Sequence, residues 1–294
     1  MKKLSLIFIV LAGSLWGITG IFIRNMNKYG LDAMQIGAVR LIISAVVFSV
    51  ITCIKSPSLF KIKIKHIWMF IGTGIISVVF FNYFYFNTII QGEVSVAVVL
   101  LYTSPVFVMI MSAILFKEKI TPVKIIAVFF TVIGCALSCG LFGGGYKISL
   151  IVLIFGLLSG LFYALYSIFG KYALNNYNTY TVTAYTFIFA GIGACCFVNI
   201  GDTVRIITEN PILILWILGI TLFCTVLPYL FYTLGLKDAE SSTASIVVAV
   251  EPVVGAIIGM VFLGDTFSAF KILGILIIIS AIVLMNLKTK KKSE

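Results

Sequence analysis

The chain of 294 residues is 61% hydrophobic and only 11% charged. A soluble domain is about half apolar and about a quarter charged, so this chain has too few charges to coat a water-facing surface. The net charge of +11 does not indicate nucleic-acid binding, because the Lys and Arg residues lie between apolar runs and at the tails, as membrane orientation requires. The predicted partner is therefore the lipid bilayer, with no nucleic acid.

Ten apolar runs follow one another along the chain, and each is long enough to cross a bilayer as a helix. We name them segments 1 to 10; they cover residues 5–24, 34–54, 67–89, 94–116, 123–140, 149–171, 180–199, 212–235, 242–263 and 269–287. The connections are short and leave nothing for a soluble domain. The predicted fold class is an all-α membrane protein of ten transmembrane helices.

The distribution of Lys and Arg predicts the orientation of these helices. If the N-terminus is cytoplasmic, the inner connections and tails hold fifteen of them and the outer connections five. The N-terminal run resembles a signal peptide but continues through Trp16 to Ile23, so we expect it to be retained as segment 1. The prediction is a multi-pass protein of the cell (plasma) membrane with both termini in the cytoplasm.

No motif indicates a cofactor, a metal or an enzymatic centre. The six cysteines form no CxxC pattern and there is one histidine, which argues against a metal site or a disulfide framework. The run Gly143-Gly144-Gly145 lacks the Gly-Lys-Ser/Thr that completes a phosphate-binding loop. A membrane-embedded enzyme would need clustered His, Asp or Ser residues inside the segments, and none is apparent. We therefore predict no cofactor and no enzyme.

The sequence matches itself at a constant offset of 147 residues, without gaps. The matches include Pro, Glu and Lys positions, which low complexity would not align: Phe84-Tyr85 with Phe231-Tyr232, Glu93 with Glu240, Pro105-Val106 with Pro252-Val253, Glu118 with Asp265, Lys124-Ile125 with Lys271-Ile272, and Arg24 with Lys171. Each copy holds five segments, an odd number, so the second copy enters the membrane from the opposite side. Such inverted repeats recur in secondary transporters, whose substrate site lies between the halves.

The predicted organisation follows from this repeat. A first five-helix repeat covers residues 1–140, a linker 141–148, a second five-helix repeat 149–287 and a basic cytoplasmic tail 288–294. The two inverted repeats are expected to surround a central cavity.

Several short motifs in this order resemble the EamA-type ten-helix carriers of the drug/metabolite transporter (DMT) superfamily. They are Ser14-Leu15-Trp16-Gly17, Arg40, Ser104-Pro105-Val106-Phe107, Phe116-Lys117-Glu118-Lys119, Glu251-Pro252-Val253 and Phe262-Leu263-Gly264-Asp265. Asp265 departs from the Glu that is usual in the family. The resemblance covers essentially the whole chain. It implies export or exchange of metabolites, amino acids among them, through a central cavity, with segments 5 and 10 at the periphery.

Two charged residues lie within the apolar segments. Glu251 falls about ten residues into segment 9, and an ionisable group at that depth is a functional candidate because its burial is costly. It can bind a cationic or amine group, carry a coupling proton, or serve as a structural carboxyl beside Pro252. Arg40, early in segment 2, can snorkel to the interface, bind a substrate carboxylate, or pair with Glu251.

Tyrosine and asparagine concentrate in segments 3, 6 and 8. In lipid these polar groups need partners, so they are expected to face protein or a wet cavity. Tyr163 and Tyr166, together with Tyr102 and Tyr232, could form an aromatic box. Such a box suits aromatic side chains by stacking or quaternary ammonium by cation–π attraction; ordinary core packing is the alternative. The predicted substrate-binding residues are Trp16, Asn82, Tyr85, Tyr102, Tyr163, Tyr166, Tyr229, Tyr232 and Glu251.

Prolines inside segments 4 and 9 provide candidate hinges. Pro105 and Pro252 occupy matching positions of the two copies, and each removes a helical hydrogen bond. With Arg40 and Glu251 they form the predicted gating or coupling set. Glu118 closes segment 4, where the helix dipole opposes a carboxylate, so we expect it to pair with a cation or to cap another helix.

These observations predict a secondary transporter that works by alternating access. Its expected substrates are small metabolites, first amino acids or related compounds, and an exporter or exchanger is favoured. The alternative is a transporter of cationic or quaternary amines, choline-like compounds or drugs. A channel is less favoured, because the polar groups concentrate in the middle of the segments rather than lining the full thickness.

Overall fold

The computed structural model describes residues 2–92, 94–139, 148–262 and 268–291. Within these ranges the chain is helical and has no strand, as an apolar solvent requires, because a helix satisfies its own backbone hydrogen bonds. Glu93, Asp265, Gly143–Gly145, residues 141–147 of the predicted linker and residues 292–294 of the predicted tail lie outside the described ranges.

The helices follow the predicted segments, but several segments are interrupted. Segments 2, 5, 6, 7 and 10 are single helices: Ala33–Lys55, Pro122–Ser138, Leu150–Leu174, Thr179–Ala194 and Ala269–Lys291. Segments 1, 4 and 9 are each divided in two: Lys2–Gly17 and Thr19–Asn27, Val94–Leu101 and Ser104–Phe116, Ser241–Val247 and Val250–Phe262. Segments 3 and 8 each contain a π-helical stretch: Ile67–Ile71, Gly72–Val79 and Phe80–Gln91, then Ile212–Thr221, Leu222–Val226 and Leu227–Asp238. Shorter helices outside the segments are Pro57–Phe60, Ile64–His66 and Ile200–Glu209.

Among the described residues, seven helical stretches are long and apolar enough to cross a membrane, corresponding to segments 1–4, 6, 8 and 9. Segments 5 and 10, Pro122–Ser138 and Ala269–Met285, are shorter apolar helices. The helix Thr179–Ala194 of segment 7 is less apolar because it contains four threonines, and all four are buried: Thr179, Thr181, Thr183 and Thr186. Length and composition therefore establish a multi-pass membrane protein, and the number ten remains a prediction.

The packing of the segments is unchanged when the two copies are exchanged. Segment 2 packs on segment 7, and segment 5 on segment 10. Segment 1 packs on segments 8 and 9, and its counterpart, segment 6, packs on segments 3 and 4. Segments 5 and 10 expose apolar side chains such as Phe129 and Leu276 on their outer faces, as the predicted peripheral position requires.

Two glycine contacts show the same symmetry between the two copies. A Cβ on Gly72 would lie 2.6 Å from Phe169 Cδ1, and a Cβ on Gly219 would lie 2.6 Å from Phe22 Cε1. The two contacts correspond to each other, because Gly219 and Phe169 are the counterparts of Gly72 and Phe22 at the offset of 147 residues. Gly72 begins one π-helical stretch and Gly219 lies three residues before the other, so a ring packed directly on the backbone accompanies the altered helix in each half.

The interruptions of segments 4 and 9 are also matched. Segment 4 breaks at Tyr102 and Thr103, just before Pro105, and segment 9 breaks at Val248 and Ala249, before Pro252. Because proline cannot donate the next helical hydrogen bond, each proline sits in the first turn of a new helix.

Gly17 lets segment 1 approach the broken part of segment 9, and its replacement by alanine should destabilise the fold. The new Cβ would lie 2.7 Å from Val254 Cβ and 2.8 Å from the Glu251 carbonyl oxygen, so we expect a loss of about 1–3 kcal/mol from overpacking. Thermal unfolding in detergent measures the change. Gly20→Ala is the matched control, because nothing lies within 4 Å of its Cβ position. An equal loss in both variants would contradict the close approach.

Candidate functional site

An aromatic cluster lies where segments 1, 6 and 8 meet, and consists of Trp16, Tyr163, Tyr166, Tyr229 and Tyr232. The Trp16 ring centroid is 5.1 Å from that of Tyr229, 5.6 Å from Tyr232 and 6.3 Å from Tyr163. Tyr166 completes the cluster at 5.2 Å from Tyr229. Trp16 is the penultimate residue of its helix, one position before Gly17, so the break in segment 1 sits beside the cluster.

Hydrogen bonds hold one side of the aromatic cluster. The hydroxyls of Tyr166 and Thr233 are 2.7 Å apart, and those of Ser167 and Tyr232 are also 2.7 Å apart. Both bonds join segment 6 to segment 8. They fix the rings of Tyr166 and Tyr232 and satisfy their buried hydroxyls, as burial requires.

A narrow cleft opens between this cluster and segment 3. It is lined by Trp16, Ser77, Phe81, Tyr163, Tyr166, Ser167, Tyr229 and Tyr232. Its free space is about that of one water molecule. The structure is therefore a closed form of the site, and a metabolite would need the surrounding helices to move apart.

Glu251 lies beside this cleft, in the first turn of the helix Val250–Phe262. Its Oε2 atom is enclosed and accepts no hydrogen bond. The hydroxyls of Tyr102 and Tyr163 are likewise buried without a hydrogen bond, although both lie near the Glu251 carboxyl. These three groups gather around one point but form no hydrogen bond of normal geometry. Because buried polar groups normally have well-formed partners, the point between them is a place where a polar ligand or water would fit.

Arg40 approaches the same region from segment 2. Its guanidinium donates to Asn82 Oδ1 at 2.9 Å, and the Asn82 amide donates to the Val78 carbonyl oxygen at 2.6 Å. Among the described residues Arg40 forms no ion pair with Glu251, so the pairing considered from the sequence is absent from this structure. The two charges still interact across the site, and Tyr229 interacts with both.

The structure brings most of the predicted site residues together. Tyr163 joins the aromatic cluster to the Glu251 region, where Tyr85 and Tyr102 also lie. Asn82 is on a different face, against Arg40 and a groove between segments 2, 3 and 7. The predicted box therefore differs in one member, because Tyr229 rather than Tyr102 contacts Trp16.

Sequence reasoning missed Ser77 and Phe81 of segment 3. Phe81 lies 5.2 Å from Tyr163, centroid to centroid, and lines the cleft. Ser77 lies in the π-helical stretch, and its hydroxyl is buried without a hydrogen bond. Their spacing of four residues places them on one helix face, and this spacing could have indicated that they line the same space. Phe81 was not singled out because it lies in a run with several other aromatic residues.

A multi-pass helical bundle with broken helices around a buried carboxylate and a tyrosine-lined cleft has the features of a membrane transporter. The model of the EamA-like transporter family matches residues 3–140 and again residues 150–287. The chain therefore belongs to the EamA-like transporter family. The two matches cover the two copies of the internal repeat.

Related proteins agree with this assignment. An uncharacterized transporter of Archaeoglobus fulgidus is 27% identical over 93% of this chain and 95% of its own length. The threonine/homoserine exporter RhtA of Salmonella typhimurium is 28% identical over 68% of this chain and 65% of its own length. One solved crystal structure superposes with a TM-score of 0.80 at 14% identity, covering 100% of both chains, which is a likeness of fold alone.

Trp16→Ala should weaken substrate binding, because it removes an indole ring that lines the cleft. It removes ring contacts to three tyrosines, and aromatic contacts contribute about 0.5–1.5 kcal/mol each beyond their buried area. We expect the KM of transport to rise about tenfold, measured as initial uptake rates in proteoliposomes. Trp68→Ala is the control, since Trp68 is half-exposed and lies outside the cleft. Equal effects in both variants would remove Trp16 from the site.

Proposed function

We propose that this protein is a secondary transporter of small metabolites, first amino acids or related compounds, that exports or exchanges them by alternating access. In this proposal ten transmembrane helices form two inverted five-helix repeats around a central cavity in the plasma membrane, with both termini in the cytoplasm. The exchange symmetry of the packing supports the two-repeat arrangement, and the excess of Lys and Arg on one side supports the orientation.

The observation that carries the proposal is the Glu251 carboxyl group beside the aromatic cluster, whose Oε2 atom is enclosed and accepts no hydrogen bond. An enclosed carboxylate oxygen that accepts no hydrogen bond is costly unless a ligand or a proton compensates it. A substrate ammonium group meets this need directly, and a coupling proton is the alternative. Arg40, which is held by Asn82 and interacts electrostatically with Glu251, would receive a carboxylate of the same substrate, since guanidinium groups bind carboxylates in a bidentate geometry.

The two charges together favour an amino acid over a simple amine. An α-amino acid has an ammonium and a carboxylate, which match Glu251 and Arg40, and its side chain would lie against the aromatic rings. The name of the distant relative RhtA, a threonine/homoserine exporter, is consistent with this class. Transport of cationic or quaternary amines is the second candidate, favoured by the tyrosine and tryptophan faces around the cleft.

Thermal stabilisation across a ligand panel tests the substrate class. A ligand that binds only the folded protein raises its stability by about 2.7 kcal/mol at 100 times its Kd. We expect one or more zwitterionic amino acids to raise the unfolding temperature, and the corresponding methyl esters and decarboxylated amines to do so less. Stabilisation by quaternary amines but by no amino acid would favour the second candidate.

A further inference from the structure

A polar cluster at one end of the bundle connects the two copies of the repeat. Glu118, just after segment 4, accepts hydrogen bonds from the backbone N–H of Ser241 at 2.7 Å, from the N–H of Ser242 at 3.2 Å and from the Ser242 hydroxyl. These are the first residues of segment 9, so a carboxylate of the first copy caps a helix of the second. Lys117 adopts a positive φ of 56°, which turns the chain so that Glu118 reaches across.

A buried lysine completes the cluster. Lys124, only 4% exposed, lies 2.8 Å from Glu240 Oε2 and 3.6 Å from Glu118 Oε2. Lys171 of segment 6 donates to the carbonyl oxygens at the end of segment 8, those of Leu236, Lys237 and Ala239. We call Glu118, Lys124, Lys171, Glu240 and Ser242 the polar latch.

The polar latch lies directly beside the aromatic cluster. Lys171 and Leu236 are each four residues, about one helical turn, beyond the hydrogen-bonded pair Ser167 and Tyr232. Glu118 is also close enough to Tyr232 to interact with it electrostatically. The contacts therefore run without interruption from the cleft to this end of the bundle, the end that the charge distribution predicts to be cytoplasmic.

We infer that the polar latch is the gate that closes the cleft on the predicted cytoplasmic side, and that Glu118 is its principal positioning residue. The inference rests on the proposed carrier function, because only a carrier must open this end while keeping the other closed. Every bond of Glu118 and Lys124 named above, except the pairing of these two residues with each other, joins the first copy to the second. Separation of the halves must break these bonds and expose both charges to water.

The charges of the latch differ in their surroundings between the closed and the open form, so the gate would act as a two-state element. While closed, Glu118 and Lys124 are almost fully buried, and the removal of one partner leaves the other charge buried and uncompensated. In an open form water solvates both. Weakening the latch should therefore increase the population of the open form without creating a new conformation.

Distance measurements between spin labels test this inference without a known substrate. Labels are placed on Lys119→Cys and Lys237→Cys, exposed positions of the first and second copy next to the latch, after the exposed Cys53, Cys195 and Cys196 are replaced by serine. Glu118→Gln should raise the ratio of a longer to the shorter label distance by about tenfold, since it weakens a charged helix cap and an ion pair. Lys124→Met should shift the ratio in the same direction.

Two further variants separate gating from folding. Ser242→Ala removes a single hydroxyl donor and should produce a smaller shift in the same direction if Glu118→Gln proves too unstable to purify. Asp202→Asn breaks the exposed Arg205–Asp202 pair, 3.4 Å apart, and should leave the label distances unchanged. Unchanged distances in every folded latch variant would overturn the gate, even if transport is demonstrated. If the label distances shift but the protein exchanges no substrate, the interface moves as inferred and the proposed carrier function is refuted.

Discussion

Glu251→Gln is expected to reduce substrate exchange at least about 100-fold while leaving the protein folded. Glutamine keeps the shape of the side chain but removes the charge, and the loss of one partner from a buried charged interaction costs about 2–5 kcal/mol. Glutamine can also keep polar contacts with the Tyr102 and Tyr163 hydroxyls, which lie near the Glu251 carboxyl, so we expect the structural effect to be small. Exchange of labelled substrate across proteoliposome membranes gives the magnitude.

The same variant separates the two roles open to Glu251. If the carboxylate binds the substrate ammonium, both exchange and net uptake are lost. If it carries only a coupling proton, exchange survives, and uptake loses its dependence on a pH gradient. Glu209→Gln is the matched control, because Glu209 is an exposed acid at the end of the helix Ile200–Glu209. Wild-type exchange with an unchanged pH dependence in Glu251→Gln would remove Glu251 from the site.

Arg40→Gln is expected to cost about 100-fold in affinity for amino acids and much less for amines without a carboxylate. The guanidinium is already oriented by Asn82 at 2.9 Å, and a charge-assisted pair with a substrate carboxylate is lost with the positive charge. The measurement is a pair of binding curves, one for an amino acid and one for its decarboxylated amine, with each variant.

Two companion variants show whether charge or geometry matters at Arg40. Arg40→Lys keeps the charge but not the planar fork, so we expect an intermediate loss. Asn82→Ala keeps Arg40 but removes its acceptor, and the expected loss is smaller still. An equal fall in affinity for the amino acid and the amine would contradict carboxylate recognition and would favour the amine-transport alternative.

The sequence predicted the helices well because their main determinant is the solvent. A run of about 20 apolar residues forms a helix in lipid, because a helix satisfies its own backbone hydrogen bonds there. Interruptions were harder to predict. The breaks before Pro105 and Pro252 follow from a missing N–H donor. The π-helical stretch of segment 8 ends two residues before Pro228, which also lacks that donor. The break at Ile18 and the π-helical stretch of segment 3 contain no proline, so no such signal was present for them.

The helix of segment 7 ends earlier in the chain than predicted. The helix ends at Ala194 rather than at residue 199, and the chain then forms the separate helix Ile200–Glu209. The Asn199 side chain caps this helix by accepting from Asp202 N–H at 3.2 Å. Its exposed Ile200 and Val204, on one face of a polar helix, are typical of a helix at the membrane interface.

The candidate site was predicted in its residue types but only partly in its grouping. Glu251, Trp16 and the tyrosines were identified because polar and aromatic groups at mid-segment need a reason to be there. The sequence predicted that the segments other than 5 and 10 surround one cavity, without placing segments 1, 6 and 8 next to one another. It did not separate Asn82 from the cleft, nor exclude an Arg40–Glu251 pair, because both depend on side-chain directions and helix rotation.

The sequence predicted that Glu118 would pair with a cation or cap another helix, and the structure confirms both interactions. The reason for the prediction was the unfavourable position of a carboxylate at a helix C-terminus. Its partners in segment 9 could not be predicted, because they lie more than 120 residues away in the sequence.

Counterflow in proteoliposomes tests the carrier most directly. Vesicles are loaded with a high concentration of unlabelled substrate and diluted into a trace of labelled substrate. A carrier with one alternating site predicts that the label accumulates transiently inside, that the initial rate saturates with substrate, and that Glu251→Gln abolishes the accumulation. A flux that rises in proportion to concentration, without transient accumulation, would contradict alternating access and indicate a channel.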